Sequence, residues 1–157
     1  MSKFQLKIFF KAAYDLMLVS LQFFFISLHF FKWDFLPQKQ IIQASPLSYS
    51  LGILIIIIAF IIMLVSIKDL GRNLSPFPLP IINSNLVTTG IYRFTRHPMY
   101  YSLIFISMGF FVIKLSIYYL FLTISLALII KFKIALEEKY LMNKFKNYLL
   151  YKNKVKV

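Results

Sequence analysis

Apolar residues in this chain gather in long runs, separated by short polar or glycine- and proline-bearing stretches. Residues 51–67 are the clearest run, dominated by Ile and Leu and closed by Lys68 and Asp69. A helix needs about 17–25 largely apolar residues to cross the hydrocarbon of a bilayer, so this run predicts a spanning helix. Pro46 and Ser48 just before it suit a helix start. Residues 16–31 predict an earlier span, with Lys11 and Trp33 as its anchors. No small-residue cleavage site follows that run; Lys32, Trp33 and Asp34 come instead, so it reads as a transmembrane helix and not as a removable signal. Residues 100–113 and 115–130 are apolar again, divided only by Lys114. One helix of that length would overshoot a bilayer, so a tight helical hairpin with Lys114 near its tip is expected. Pro98 then falls in the first turn, where its missing N–H costs nothing.

Two segments break the pattern. Residues 68–98 carry Gly71, Pro76, Pro78, Pro80, Asn83, Asn85 and Gly90, which interrupt any long helix. Loops of that length are uncommon unless they have a function. After Lys131 the chain turns basic and amphipathic, with Ile134, Leu141, Phe145 and Tyr148 on a helical period. Such a tail lies on the membrane surface or caps a site. The expected fold is all-α: a single multi-pass membrane domain over residues 1–157, with about four transmembrane helices including a C-terminal hairpin.

Composition agrees with a membrane. The chain is 60% hydrophobic and only 15% charged, with a mean hydropathy of +0.76, which leaves too little polar surface to cover a water-exposed globule. Cysteine is absent and there are two histidines, His29 and His97. Disulfides and thiolate chemistry are therefore excluded, and no metal site is expected. The net charge is +13. Its basic residues sit between apolar runs and not on one soluble face, which argues against nucleic acid and for a bilayer as partner. Three lysines precede the first span, four basic residues lie in the proline-bearing loop and eight lysines lie from Lys131 onward, so fifteen of the 18 fall on one side of a four-span scheme. The excess of Lys and Arg on cytoplasmic loops then puts both termini and that loop in the cytoplasm. The richness in Lys, Ile, Phe and Asn is that of an AT-rich microbial genome, which points to a bacterial inner membrane and weighs against a prenylated-protein substrate.

Polar side chains concentrate in two places on that face. One holds Arg72, Asn73, Tyr92, Arg93, Arg96, His97 and Tyr100 around glycine and proline turns; the other holds Glu137 and Glu138, the only glutamates in the chain. Taken singly, each has a plain structural explanation. Arg93 and Arg96 could snorkel at a helix end, Lys133 could pair with Glu137 at i,i+4, and Tyr118, Tyr119, Tyr148 and Tyr151 suit an interfacial belt. His29 and Asp34, on the opposite side, read as structural. The joint order and spacing argue otherwise. Residues 86–100 read LVTTGIYRFTRHPMY, a hairpin follows, and then come Glu137-Glu138, Leu141, Phe145, Tyr148 and Tyr151.

That combination resembles the signature of the isoprenylcysteine carboxyl methyltransferases and the related phospholipid methyltransferases, and LGRNLSPFP at 70–78 resembles their bacterial members. The resemblance covers residues 67–155. Ser102 stands where a Gly is usual, Lys146 replaces the Gly or Pro after the tail phenylalanine, and no closing Pro follows Val155. The resemblance implies an S-adenosyl-L-methionine-dependent methyltransferase with its cofactor pocket at the cytoplasmic membrane face. Leu86, Val87, Tyr92, His97, Pro98, Tyr100 and Glu137 would bind the cofactor, and Lys133 would face a lipid-linked or amphipathic substrate. The chemistry agrees: Glu137 suits the ammonium and sulfonium, Arg96 or His97 the carboxylate, and Tyr92 and Tyr100 the adenine. A carboxylate acceptor needs no base, whereas an amine or thiol would call on His97 or Glu138. Two rival readings share parts of the pattern: an NADPH-dependent reductase of the sterol-reductase type, and a non-catalytic membrane scaffold.

Overall fold

The computed structural model describes residues 3–31 and 40–155, with side chains from Phe10 onward. Trp33, the expected anchor, and Asp34, Lys32 and Lys39 lie outside the described residues. The elements are α1 (Lys3–Ser27), α2 (Pro46–Leu70), α3 (Pro98–Lys114), α4 (Ile117–Lys144) and α5 (Tyr148–Lys154), with 3₁₀ turns at Gly71–Asn73 and Gly90–Arg93. Among the described residues there is no strand, and only an isolated bridge joins Gln40 to Ser116.

Local sequence sets the helix ends. The Ser45 hydroxyl accepts the Ser48 N–H at 3.2 Å, and Ser48 Oγ accepts the Ser45 N–H at 3.0 Å. This reciprocal cap, with Pro46 in the first turn, starts α2 where Pro46 and Ser48 predicted. The hairpin turns at Leu115, whose φ of 45° is left-handed; Ser116 then caps α4 by accepting the Tyr118 N–H. Lys114, the last residue of α3, stands at the tip as expected. The basic tail differs from a surface helix in its first part. It continues α4 to Lys144, making 28 residues, or about 42 Å at 1.5 Å per residue. That exceeds a hydrocarbon layer of about 30 Å, so the polar end of α4 stands clear of it.

The helices pack in the order α1, α4, α3, α2. Between α2 and α3 the backbones come close: a Cβ at Gly52 would lie 2.7 Å from the Gly109 carbonyl oxygen, and one at Gly109 2.9 Å from that of Gly52. Small residues at a crossing allow such an approach between membrane helices. The bundle has two distinct ends. At one, the Tyr118 hydroxyl donates to the Leu28 carbonyl at 3.0 Å and the Ile41 N–H to the Leu115 carbonyl at 2.7 Å. At the other, the start of α1 meets the end of α4, where the Tyr140 hydroxyl donates to Asp15 at 3.1 Å.

Three stretches, Phe10–Ser27, Pro46–Asn73 and Ile117–Lys144, are long and apolar enough to cross a membrane, and α3 is apolar but shorter at 17 residues. Their outer faces expose Leu, Ile and Phe side chains, as lipid contact requires. The chain is an integral membrane protein. One expectation is overturned here. Tyr118, Tyr119, Tyr148 and Tyr151 are buried in the protein and do not form an interfacial belt. Tyr118 finds its partner in the Leu28 carbonyl and Tyr151 in the Tyr92 carbonyl, at 2.6 Å, and such partners let a phenol be buried without penalty.

Candidate functional site

The segment 86–100 is shaped by a glycine and an acid. Gly90 has a φ of +60°, and a Cβ there would sit 2.0 Å from Asp69 Oδ2. Asp69, at the end of α2, accepts the Ile91 N–H at 2.8 Å through that oxygen. Glycine is required because the carboxylate and the left-handed backbone leave no room for a side chain. The following 3₁₀ turn directs Tyr92 inward and leaves Arg93 exposed over the Phe94 ring. Next, α3 begins at Pro98, and the His97 ring stacks on Tyr100 with centroids 5.8 Å apart and planes at 25°.

These residues form one side of an open-mouthed cavity. Leu86, Val87, Tyr92, Arg96, His97, Tyr100 and Glu137 all line it, as do Asn73, the wall from Ser75 to Pro80, and Tyr148 and Tyr151 from α5. Asn73 holds the loop by accepting the Asn85 N–H at 3.1 Å. Glu137 is partly exposed, and its exposure is to the cavity; His97, Tyr100, Lys133 and Glu138 surround its carboxylate.

Three other expected site residues lie off the cavity wall. Pro98 is fully buried at the start of α3, where it sets the backbone from which His97 and Tyr100 project. Glu138 points toward the C-terminal helix. Its Oε1 accepts Arg96 Nε at 2.9 Å and lies 3.3 Å from His97 Nε2, while Oε2 accepts Lys152 Nζ at 2.7 Å. Arg96 extends the knot by donating to the carbonyls of Lys152 and Val155. Lys133, only 1% exposed, donates to Gln22 Oε1 of α1 and to the Pro76 carbonyl, and its ammonium lies 5.1 Å from the Tyr100 ring centroid. Lys144 grips the same loop further along, through the carbonyls of Ile81 and Ile82 and the Ser84 hydroxyl. Two lysines of α4 thus hold the proline-bearing wall at both shoulders.

The C-terminal helix closes the far side. Tyr148, Tyr151 and Val155 pack with Leu86, Leu141 and Phe145. Tyr148 is 1% exposed, yet its hydroxyl has no hydrogen-bond partner among the described residues. Burial and the carboxylate of Glu138 hold this phenol above its ordinary pKa, and burial and Glu137 do the same for Tyr92. Both phenols stay protonated, and each can donate a hydrogen bond.

The model of the phospholipid methyltransferase family matches residues 47–148. The chain belongs to this family. The match starts in the first turn of α2 and ends at the first residue of α5, so it takes in the whole cavity wall up to Tyr148 and leaves α1 outside. Among curated proteins and among solved structures, none matches the chain. The resemblance seen in the motif residues therefore agrees with the family. Tyr148 and Tyr151 were missed as wall residues. Their spacing relative to Glu137-Glu138 was visible in the resemblance, but tyrosines at a basic membrane face suit a belt equally well.

Proposed function

We propose that this family member is an S-adenosyl-L-methionine-dependent methyltransferase working at the membrane interface on a lipid-linked or amphipathic acceptor. The observation that carries the reading is one cavity whose wall combines a carboxylate, a guanidinium, an imidazole, two aromatic rings and a buried hydroxyl without a partner. That set fits the cofactor: Glu137 suits its cationic groups, Arg96 and His97 its carboxylate, Tyr92 and Tyr100 its base. The Tyr148 hydroxyl supplies a donor that the fold itself leaves unused. When bound, the cofactor supplies an electrophilic methyl group, which an acceptor lone pair takes while the carbon–sulfur electrons stay on sulfur.

The protein's own part is mainly alignment, which can account for much of the barrier in a displacement of this kind. Leu86, Val87 and the loop wall exclude water. Glu138 is a positioning residue: held by Arg96 and Lys152, it orients His97 and ties α5 across the cavity. A carboxylate acceptor is already ionised and needs no base. An amine or thiol gives up a proton, and His97, lining the cavity, is the group suited to take it. Lys133 serves the acceptor side by holding Pro76. Both termini and the site face the cytoplasm of a bacterial inner membrane in this reading, supported by the basic residues gathered around the same end of the bundle.

Binding of S-adenosylmethionine by the purified full chain in detergent tests the proposal. Calorimetry is expected to detect binding to the wild type and none to His97→Ala or Glu137→Ala, with both variants still folded. Unaltered affinity in both would sink the site assignment, and binding of NADPH instead would favour a reductase.

A further inference from the structure

No described residue of α1 lines the cavity, yet that end of the chain carries three buried polar side chains at a regular interval. Asp15, Gln22 and His29 recur every seven residues, among apolar stretches such as LVSLQFFFI at 18–26. Seven residues make nearly two helical turns, so the three fall along one face. Each is spent on another helix. Asp15 accepts the Tyr140 hydroxyl at 3.1 Å, Gln22 Oε1 accepts Lys133 Nζ, and His29 bonds the Ser107 hydroxyl at 2.7 Å. Polar side chains are costly in a spanning helix and join it to its neighbours.

The middle contact differs from the other two because it continues to the cavity wall. Lys133 donates a second hydrogen bond to the Pro76 carbonyl at 3.0 Å, and its ammonium lies 5.1 Å from the Tyr100 ring centroid. Tyr100 lines the cavity, as do Ser75 and Phe77 on either side of Pro76. We infer that Gln22 is a positioning residue for the site, fixing the Lys133 ammonium so that it holds Pro76 and Tyr100 in place; the inference rests on the methyltransferase reading.

Two properties of lysine make the carboxamide necessary. Its ammonium is a point charge on a flexible stem, with donors that rotate, so one acceptor on the loop leaves its direction open. Lys133 is also fully buried, and a buried N–H without an acceptor is penalised. No described carboxylate forms a salt bridge with it. Gln22 supplies the second acceptor, and three points then fix the ammonium: α1, the loop and the Tyr100 ring. Because Gln22 lies outside the stretch that the family model matches, α1 adds this support to the family's part of the chain.

The test uses the full chain in detergent, with S-adenosylmethionine affinity and thermal unfolding read on each variant. Gln22→Met keeps the length of the side chain and removes the acceptor. It is expected to weaken cofactor binding about fivefold, a size usual for residues that reach a ligand through others. Gln22→Glu keeps an acceptor oxygen at the same reach and should return affinity to within about twofold of wild type. Asp15→Leu breaks the neighbouring contact and should cost stability while leaving affinity unchanged. On a Lys133→Met background, Gln22→Met should weaken binding no further, because the two act as one unit. Gln22 has no positioning role if Gln22→Met lowers only the unfolding temperature, if Asp15→Leu weakens binding equally, or if the loss persists without Lys133. Should Gln22→Met fail to fold, Gln22→Asn replaces it, keeping the amide and shortening its reach. A further readout stands apart from the cofactor. The chain has no cysteine, so Ser75→Cys places a single thiol beside Pro76, and Gln22→Met should speed its alkylation several-fold as the loop opens more often. A wild type that binds no S-adenosylmethionine would count against the methyltransferase reading. The thiol still judges Gln22 in that case, and an alkylation rate unmoved by Gln22→Met overturns the positioning.

Discussion

The chain's two histidines sit at opposite ends of one bundle and show how differently the two ends are finished. His29 spends both ring nitrogens: Nδ1 bonds the Phe25 carbonyl at 2.9 Å and Nε2 the Ser107 hydroxyl at 2.7 Å. Ser107 bonds Thr123 at 2.9 Å, and Thr123 donates to the Tyr119 carbonyl at 2.9 Å. The polar side chains there pair with one another, beside a hollow lined almost wholly by apolar surface. His97 has Glu138 on one nitrogen, a stacked tyrosine, and a cavity beside it whose wall contains the unsatisfied Tyr148 hydroxyl. Buried polar groups are nearly always paired in a finished fold. The bundle pairs Ser107 and Thr123 beside His29, while near His97 it leaves the Thr95 and Tyr148 hydroxyls without partners among the described residues, and of these two Tyr148 lines the cavity.

The comparison can be broken most forcefully at Glu138. Replacing it with Gln removes the counter-charge of Arg96 and Lys152, and breaking a buried ion network costs about 3–5 kcal/mol. The part-exposure of Lys152 puts this case at the lower end. Thermal unfolding in detergent should show the loss, and α5 should become protease-sensitive because Arg96 no longer holds its end. A smaller effect is expected at Gly90→Ala, which meets the Asp69 carboxylate and a left-handed backbone at a cost of about 1–3 kcal/mol. Adding Asp69→Ala should return part of that stability if the clash is the cause, and none if only the backbone matters.

The gentlest test sets the two ends directly against each other. Ser107→Ala should cost roughly 1 kcal/mol of stability by leaving His29 without its partner, with cofactor affinity untouched. Tyr148→Phe should do the reverse. Stability stays level or rises, because an unsatisfied buried hydroxyl is removed, while affinity for S-adenosylmethionine falls by roughly three- to tenfold. Equal losses of stability and binding in both variants would erase the distinction between the ends.

Much of this architecture is legible without coordinates. The runs around residues 51–67 and 100–130 become helices because uninterrupted apolar residues have no other stable form in a bilayer. Lys114 marks the hairpin tip because a charge is costly inside it. The turn residues around Gly90 and Pro98 mark the site because they forbid a continuous helix. The Glu137–Glu138 pair shows where reading the chain runs out. Successive helical residues point about 100° apart, since 3.6 residues make one turn. One glutamate must therefore face elsewhere; the family resemblance picked Glu137 for the cofactor, but helical period alone does not say which.

Sequence alone determined the membrane, the helical class, the family and the two segments that must meet. Those properties follow from local chemistry: apolar length, turn residues and charge each act within a few positions. Only the tertiary structure decided that Glu137 looks into the cavity while Glu138 ties down α5, that Lys133 turns to Gln22 and Pro76, and that Tyr148 is walled in without a partner. Such outcomes depend on which neighbour arrives from 14 to 111 residues away, and no local pattern carries that information.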